Sequence, residues 1–295
     1  MKTAQILHNT KSGDANFSKE ELISLLETNG YKAHYASLKE DGWDNFKSDV
    51  DFLVICGGDG SVKKVVKTLI EQKLEYPLAL IPAGTANNFA KSLKLDTDVK
   101  QLVRSWDIKN LKNVDCWEIS HGESQNIMIE SFGIGVFPDL MQRMIKLEEK
   151  EEKAEDELDT AKKELAKIVQ RFKGVNCEIK ADGKIFSGSY LLIEAMNILS
   201  IGPGLNLAGD ADLSDGNLSV VLVSLDERKE LENYVVAKIR GEDHSFRSET
   251  LKVKDLSISW EGANAHIDDQ NIYTKERCTV HIKLKKPLRF FANSL

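Results

Sequence analysis

Between residues 4 and 93 short apolar runs alternate with helix-like stretches, and this alternation limits the possible folds more than any other feature of the chain. AQILHN (4–9), YKAHYAS (31–37), VDFLVICGG (50–58) and PLALIPAG (77–84) read as strands. SKEELISLLETNG (18–30), SVKKVVKTLIEQK (61–73) and the short ANNFAKSL (86–93) read as helices, the first closed by Gly30. Apolar strands separated by helices are covered on both faces, which predicts a parallel sheet in a three-layer α/β domain. Ligands of such sheets bind beyond the carboxyl ends of the strands.

Three of these strands end in unusual loops. The third runs into Gly57-Gly58-Asp59-Gly60-Ser61. Glycine has no Cβ, so backbone there can approach a ligand closely. The amides at the start of the following helix favour phosphate. Asp59 adds a carboxylate, which suits a Mg²⁺ ion or a reacting hydroxyl beside the phosphates. A tight turn with Asp59 as N-cap explains the same residues equally well. The first strand exits into His8-Asn9-Thr10-Lys11-Ser12-Gly13 and the fourth into Pro82-Ala83-Gly84-Thr85-Ala86-Asn87-Asn88. Three such loops at one sheet edge favour a nucleotide triphosphate site. Neither GxxxxGK[ST] nor GxGxxG occurs at these loops, so they are not a Walker A loop or a dinucleotide fingerprint.

After about residue 115 the pattern changes. VDCWEIS, QNIMIESFGIG, VNCEIKADGKIFSGSYLLIEAMN, GNLSVVLVS, LKVKDLSISWEG, HIDDQNIYT and CTVHIKLKK are extended segments with Asp-Gly turns at 182–183 and 215–216. They predict a second, all-β domain. One exception spans 140–172, where Leu147, Ala154, Leu158, Ala161, Leu165, Ile168 and Phe172 form a heptad-like stripe. Its early half is acidic and its late half basic, as a helix dipole prefers. A dimerising coiled coil or mobile lid is one reading. A helix or helix pair packed on its own domain is the other, favoured because the stripe is short and its alanines bury little area.

Bulk properties exclude several classes. Lys plus Arg total 40 against 47 Asp plus Glu, a net charge of -7, which disfavours a nucleic-acid binder. The start of the chain lacks the apolar core of a signal peptide, and no run approaches the roughly 20 apolar residues of a membrane span. Cys56, Cys116, Cys177 and Cys278 form no CxxC pair, so a zinc site or disulfide framework is not expected and a reducing cytoplasm fits.

NTKSG, GGDGS and IPAGTANNFA, in this order and spacing, resemble the catalytic domain of the diacylglycerol kinase and sphingosine kinase family, in particular its bacterial lipid kinases. MNILSIGPGLNLAGDADLSDGNLSVVLV resembles the family's asparagine, glycine cluster and acidic Asp-Gly turn. The resemblance implies an α/β nucleotide-binding domain (1–115 and 286–295) and a β-sandwich lipid-binding domain (116–285), with ATP and lipid sites in the cleft between them. It implies ATP contacts from Asn9, Thr10, Lys11, Ser12, Gly13, Ser37, Gly58, Asp59, Gly60, Ser61 and Thr85. It implies a structural Mg²⁺ held around Asp212, Asp215 and Asn217, partly through backbone carbonyls. Oxygen ligands on a tight turn suit that hard cation, although a solvated hairpin turn accounts for DLSDGN as well. The implied activity is ATP-dependent phosphorylation of a diacylglycerol-like lipid hydroxyl by in-line transfer, with Asp59 holding metal or orienting the hydroxyl.

The chain departs from the family's pattern around that chemistry. The usual Asp-Gly-Glu is Asp268-Asp269-Gln270 here, so an amide stands in the place of the general base. Asp269 or Asp268 takes over from a shifted position, or the protein has become a slow enzyme or a nucleotide- and lipid-binding homologue. Lys63-Lys64 replaces the usual Asn-Glu, Asn88 the usual Asp, and Gly209 a usual proline. Lys63 is expected on a solvated helix face. A kinase of a soluble substrate such as NAD or a sugar phosphate is a further alternative. Lys283, Lys285, Lys286 and Arg289 beside Phe290 and Phe291 suit transient docking on an anionic membrane, but a terminal strand packed on the first domain is preferred.

Overall fold

The computed structural model describes residues 1–11, 17–149, 156–273 and 276–292. Two compact units partition the chain: Met1–Val114 with Lys286–Leu295, and Asp115–Lys285. The architecture is α/β followed by β, as the alternation pattern predicts.

In unit 1 the chain runs β1 (Lys2–His8), α1 (Lys19–Thr28), β2 (Tyr31–Ser37), β3 (Phe52–Gly57), α2 (Asp59–Glu71), β4 (Leu78–Pro82), α3 (Asn88–Ser92), α4 (Val99–Arg104) and β5 (Leu111–Val114). A last strand, β19 (Leu288–Phe291), returns from the far end of the sequence. The sheet order is β2-β1-β3-β4-β19-β5, parallel except for β5. Ala4, Ile6, Phe52, Val54, Cys56, Ala79 and Ile81 join Leu22 and Leu26 of α1 and Leu102 and Val103 of α4 in one core. The alternate residues Leu53, Ile55 and Leu80 are equally buried, as a sheet covered on both sides requires. Helix α1 starts where it does because Ser18 and Glu21 form a reciprocal capping box. Val62, Val65, Val66 and Leu69 give α2 its buried stripe at helical spacing.

The sheet order creates a switch point. From β1 the chain crosses to β2 on one side, and from β3 to β4 on the other. The loops leaving β1 and β3 therefore diverge at neighbouring strand ends, which opens a crevice.

Strand β19 buries Phe290 fully and Phe291 almost fully. The Phe291 ring lies 5.0 Å from Phe52, and Phe290 lies 5.2 Å from Phe89. Lys286 pairs with Glu75 within the same unit. The tail is thus the packed strand that was preferred, and its aromatics are not available to a bilayer.

Unit 2 contains β6 (Trp117–His121), β7 (Ser124–Met128), β8 (Ser131–Gly135), α5 (Val136–Glu149), α6 (Glu157–Arg171), β9 (Val175–Ala181) and β10 (Lys184–Met196). After the short pair β11 (Ser200–Ile201) and β12 (Leu205–Asn206) come β13 (Leu218–Ser224), α7 (Arg228–Ile239), β14 (Glu249–Val253) and β15 (Asp255–Trp260). The hairpin β16 (Ala265–Ile267) and β17 (Gln270–Ile272) precedes β18 (Cys278–Leu284). All pairings are antiparallel, in the order β17-β16-β8-β10-β9-β15-β18-β6-β7, with β13 on β10 and β14 on β13. The 13-residue β10 pairs with β9 through its first half and with β8 and β13 through its second. Strand β9 alternates buried and exposed residues, because one face meets the sandwich core and the other water. Strands β8 and β13 are buried nearly throughout, because helices cover their outer face.

Those helices include the expected insert. It forms a pair, α5 and α6, and α5 begins before residue 140. Ala161, Leu165 and Ile168 of the stripe are buried within unit 2 against β-strand residues and α7, so the stripe is occupied internally. Ala154 lies outside the described residues. Helix α7 is an addition to the expected all-β remainder. Among the described residues no helix is long and apolar enough to cross a membrane.

Phe290→Ala should destabilise unit 1 by about 3–5 kcal/mol, the usual cost of deleting a fully buried phenylalanine. Urea unfolding followed by Trp106 fluorescence would measure it.

Candidate functional site

At the carboxyl edge of unit 1 the loops are fastened by backbone and by small polar side chains. The Asn9 amide donates to Cys56 O at 2.9 Å, and Leu38 N donates to His8 O at 2.8 Å. Asn9 Nδ2 donates to Ser61 Oγ at 3.2 Å, linking the β1 and β3 exits. Ser37, buried at the end of β2, accepts the Lys39 amide at 3.3 Å.

The β3 and β4 exits approach most closely at two glycines. A Cβ on Gly84 would lie 2.5 Å from Gly58 Cα, and one on Gly58 would lie 2.9 Å from Gly84 Cα. No other residue fits this backbone-to-backbone contact. Asn87 sits in the left-handed region (φ 50) and grips the turn at both ends. Its Oδ1 accepts from Gly84 N at 2.9 Å, and its Nδ2 donates to Gly84 O at 2.6 Å.

Asp59 reaches across to the same loop. Its two oxygens accept the amides of Asn88 at 3.0 Å and Phe89 at 3.1 Å. The expected capping role is therefore real but belongs to α3, not to Asp59's own helix. Helix α2 has Gly58 as its N-cap and no side-chain cap, which leaves an N-terminus suited to an anion beside the switch point. Gly60, Thr10, Lys11 and Thr85 are exposed at these loops. Ser12 and Gly13 lie outside the described residues.

Lys63 corrects an expectation. It is buried to 7% exposure, not solvated. The solvated lysine is Lys64, whose Nζ donates to Leu38 O at 2.7 Å and lies 4.7 Å over the Trp43 ring. A lysine is compatible with the buried face because its long stem is apolar.

In unit 2 a buried asparagine gathers the strand ends. The Asn197 Nδ2 donates to Asp115 O at 3.0 Å and to Ile129 O at 2.8 Å, and its Oδ1 accepts Trp117 Nε1 at 3.0 Å. Asp115 continues the network: its Oδ2 accepts Gly216 N at 2.7 Å, and its amide donates to Leu213 O at 2.6 Å. On the other side, the Asp268 carboxylate accepts three successive amides, Ile129 at 3.3 Å, Glu130 at 2.9 Å and Ser131 at 3.1 Å. Asp268 is thus engaged in holding the start of β8. Asp269 and Gln270 are exposed at the turn of the β16–β17 hairpin.

Beneath that turn lies an ion pair that the sequence reading missed. Glu194 and His266 are buried, with His266 Nε2 3.0 Å from Glu194 Oε1. His266 Nδ1 meets Asp268 O at 2.9 Å. Both ring nitrogens face acceptors, which favours the doubly protonated ring. Burial works against the charged ring, but Glu194 and the Asp268 carbonyl outweigh it and raise the His266 pKa above the ordinary value. Gly133 makes room for the pair: a Cβ there would lie 1.9 Å from Glu194 Oε2.

The Asp-Gly turn after β12 folds on its own side chains. Asp212 Oδ1 accepts Ser214 N at 2.9 Å and Ser214 Oγ at 2.7 Å. Asp215 Oδ1 accepts Asn217 N at 2.8 Å, and Asn217 Nδ2 donates to Asp215 O at 2.8 Å. Among the described residues no group of three or more His, Cys, Asp or Glu side chains is arranged to hold a metal. These hydrogen bonds engage the side chains that the resemblance implies for a structural Mg²⁺.

Comparison with known proteins gives the class. Residues 3–119 match the diacylglycerol kinase catalytic domain, and residues 155–268 match the YegS C-terminal NAD kinase beta sandwich-like domain. The catalytic-domain match and the relatives named diacylglycerol kinase support a phosphotransferase of kinase type. The two matches and the curated relatives support the diacylglycerol kinase-like family of lipid kinases. A diacylglycerol kinase of Staphylococcus carnosus (strain TM300) is 26% identical over 274 residues, which is 88% of this chain and 85% of that one. One of Staphylococcus epidermidis (strain ATCC 12228 / FDA PCI 1200) is 26% identical over 272 residues, covering 88% and 81%. The crystal structure of a diacylglycerol kinase from Bacillus anthracis str. Sterne has the same fold, with a TM-score of 0.71 at 17% identity over 99% of this chain and 97% of that one. A second structure from that organism reaches 0.76 at 20% identity over the same shares.

The raised His266 pKa has a pH signature. Its stabilisation is complete below the ordinary histidine pKa and is lost as pH rises through the raised folded value. Unfolding free energy, measured by urea titration, should therefore fall between neutral and alkaline pH. Glu194→Gln should remove most of that slope.

Proposed function

We propose that this chain transfers the γ-phosphoryl group of ATP to a hydroxyl of a lipid of the diacylglycerol class. The carrying observation is the uncapped N-terminus of α2 at the switch point, walled by the Gly58–Gly84 contact. Bare backbone and helix amides at that place favour a polyphosphate. Asn9, Thr10 and Lys11, Gly58 to Ser61, Ser37 and Thr85 are the proposed ATP contacts, with Ser12 and Gly13 carried over from the resemblance. Mg²⁺ bound with the nucleotide neutralises charge on the phosphates, and Asp59 is the carboxylate of these loops that would hold it. Asp59 also positions, because it ties the β4 exit to the β3 exit.

The acceptor hydroxyl oxygen attacks the γ-phosphorus as the bond to the β–γ bridging oxygen breaks, and ADP leaves. The hydroxyl proton goes to a carboxylate. Asp268 is engaged by three amides and Gln270 is an amide, so Asp269, exposed at the hairpin turn, is the proposed acceptor of that proton. The presence of Gln270 supports a second reading, a catalytically impaired homologue that binds nucleotide and lipid.

Two measurements test these readings. Gly84→Ala forces a Cβ against Gly58 and should abolish Mg·ATP binding in calorimetry; unchanged affinity would remove the proposed pocket. Asp269→Asn should lower kcat for diacylglycerol phosphorylation by roughly 10²–10⁴ while leaving the KM for ATP unchanged. If wild-type protein phosphorylates no lipid and Gln270→Glu restores turnover, the impaired-homologue reading holds instead. Turnover of NAD or a sugar phosphate in place of lipid would move the substrate to the soluble class.

A further inference from the structure

The Asp-Gly turn already holds a cation, and it is part of the chain. Lys252 lies on β14, paired across from Ser219 of β13, two residues beyond Asn217. This register carries its side chain back along the strand to the turn. Its Nζ donates to Asp210 O at 2.7 Å and to Asp215 Oδ2 at 3.1 Å. One backbone carbonyl and one carboxylate oxygen are the donor types a hard divalent ion would take on such a turn. Other oxygens of the turn already accept hydrogen bonds. Asp215 Oδ1 accepts Asn217 N, Asp215 O accepts Asn217 Nδ2, and Asp212 Oδ1 accepts both Ser214 N and Ser214 Oγ. Gly216 N is fixed from the other side by Asp115.

We infer that the Lys252 ammonium replaces the structural divalent cation of this turn, so that the 210–217 loop is ordered without metal. An ammonium supplies one positive charge and up to three donors on a tether. A divalent ion brought to the same oxygens would meet that charge at contact distance and would have to displace it. Because Lys252 is anchored by sheet register, the loop acquires its cation as soon as β13 and β14 pair. The chemistry of phosphoryl transfer is separate: this cation is structural, and any Mg²⁺ that accompanies ATP belongs to unit 1.

The test uses the intact chain without nucleotide. Wild-type protein should melt at the same temperature in excess EDTA and in millimolar MgCl₂, and Mn²⁺ should leave the amide NMR signals of residues 210–217 unbroadened. Lys252→Met should lower the melting temperature by a few degrees in EDTA. In that variant Mn²⁺ should broaden the loop signals, and MgCl₂ should recover part of the loss. Lys252→Arg, which keeps the charge, should behave as wild type towards both metals. Broadening of the wild-type loop by Mn²⁺ that disappears in Asp215→Asn would overturn the inference. So would a Lys252→Met protein that melts with the wild type in EDTA.

Discussion

Strands that end inside a protein leave backbone amides and carbonyls that must find partners, and both units of this chain are organised around that requirement. In unit 2 the answer is Asn197. One side chain accepts from an indole and donates to two carbonyls, and its neighbours Asp115 and Asp268 satisfy four further amides. Five separate stretches of sequence are fixed in one network, and the exposed hairpin carrying Asp269 projects from it. An unpaired buried group costs about 1–3 kcal/mol. The members of such a network are therefore strongly coupled, and none can be changed without disturbing the others.

Unit 1 meets the same requirement but leaves part of it open. Asn87 closes its own turn, and Asp59 satisfies the start of α3. The start of α2 receives no such side chain. A side-chain cap is thus supplied at the start of α3 and withheld at the start of α2. Glycine makes this possible, since Gly58 and Gly84 let two loops touch without side chains covering the amides. The contrast between the two units separates a scaffold from the proposed binding surface.

The sequence made the architecture legible where burial is two-sided or alternates cleanly. β3 is six buried residues in a row, and β9 alternates without a fault. Helix α7 was missed because Tyr234-Val235-Val236-Ala237 is a continuous apolar run, which reads as strand, while its polar face is weakly marked. The three strand-end loops were legible from their glycines. The roles of their polar residues were not, since whether Asp59 caps its own helix or a distant one depends on tertiary contact. Glu194 and His266 lie 72 positions apart, and neither alone signals a pair. One clue existed: a lone carboxylate in the apolar stretch SYLLIEAMN needs a buried partner. Lys252 was equally hidden, because only the β13–β14 register brings it to the Asp-Gly turn.

The place of β19 has a consequence for biosynthesis. The strand separates β4 from β5 in the unit 1 sheet, yet it is translated after the whole of unit 2. While unit 2 emerges from the ribosome, the edge of β4 is bare and Phe89 lacks the ring it packs against. The nascent chain must carry that gap for more than half of its elongation. The later-made unit is free to fold first, because all of its pairing partners lie within its own continuous segment.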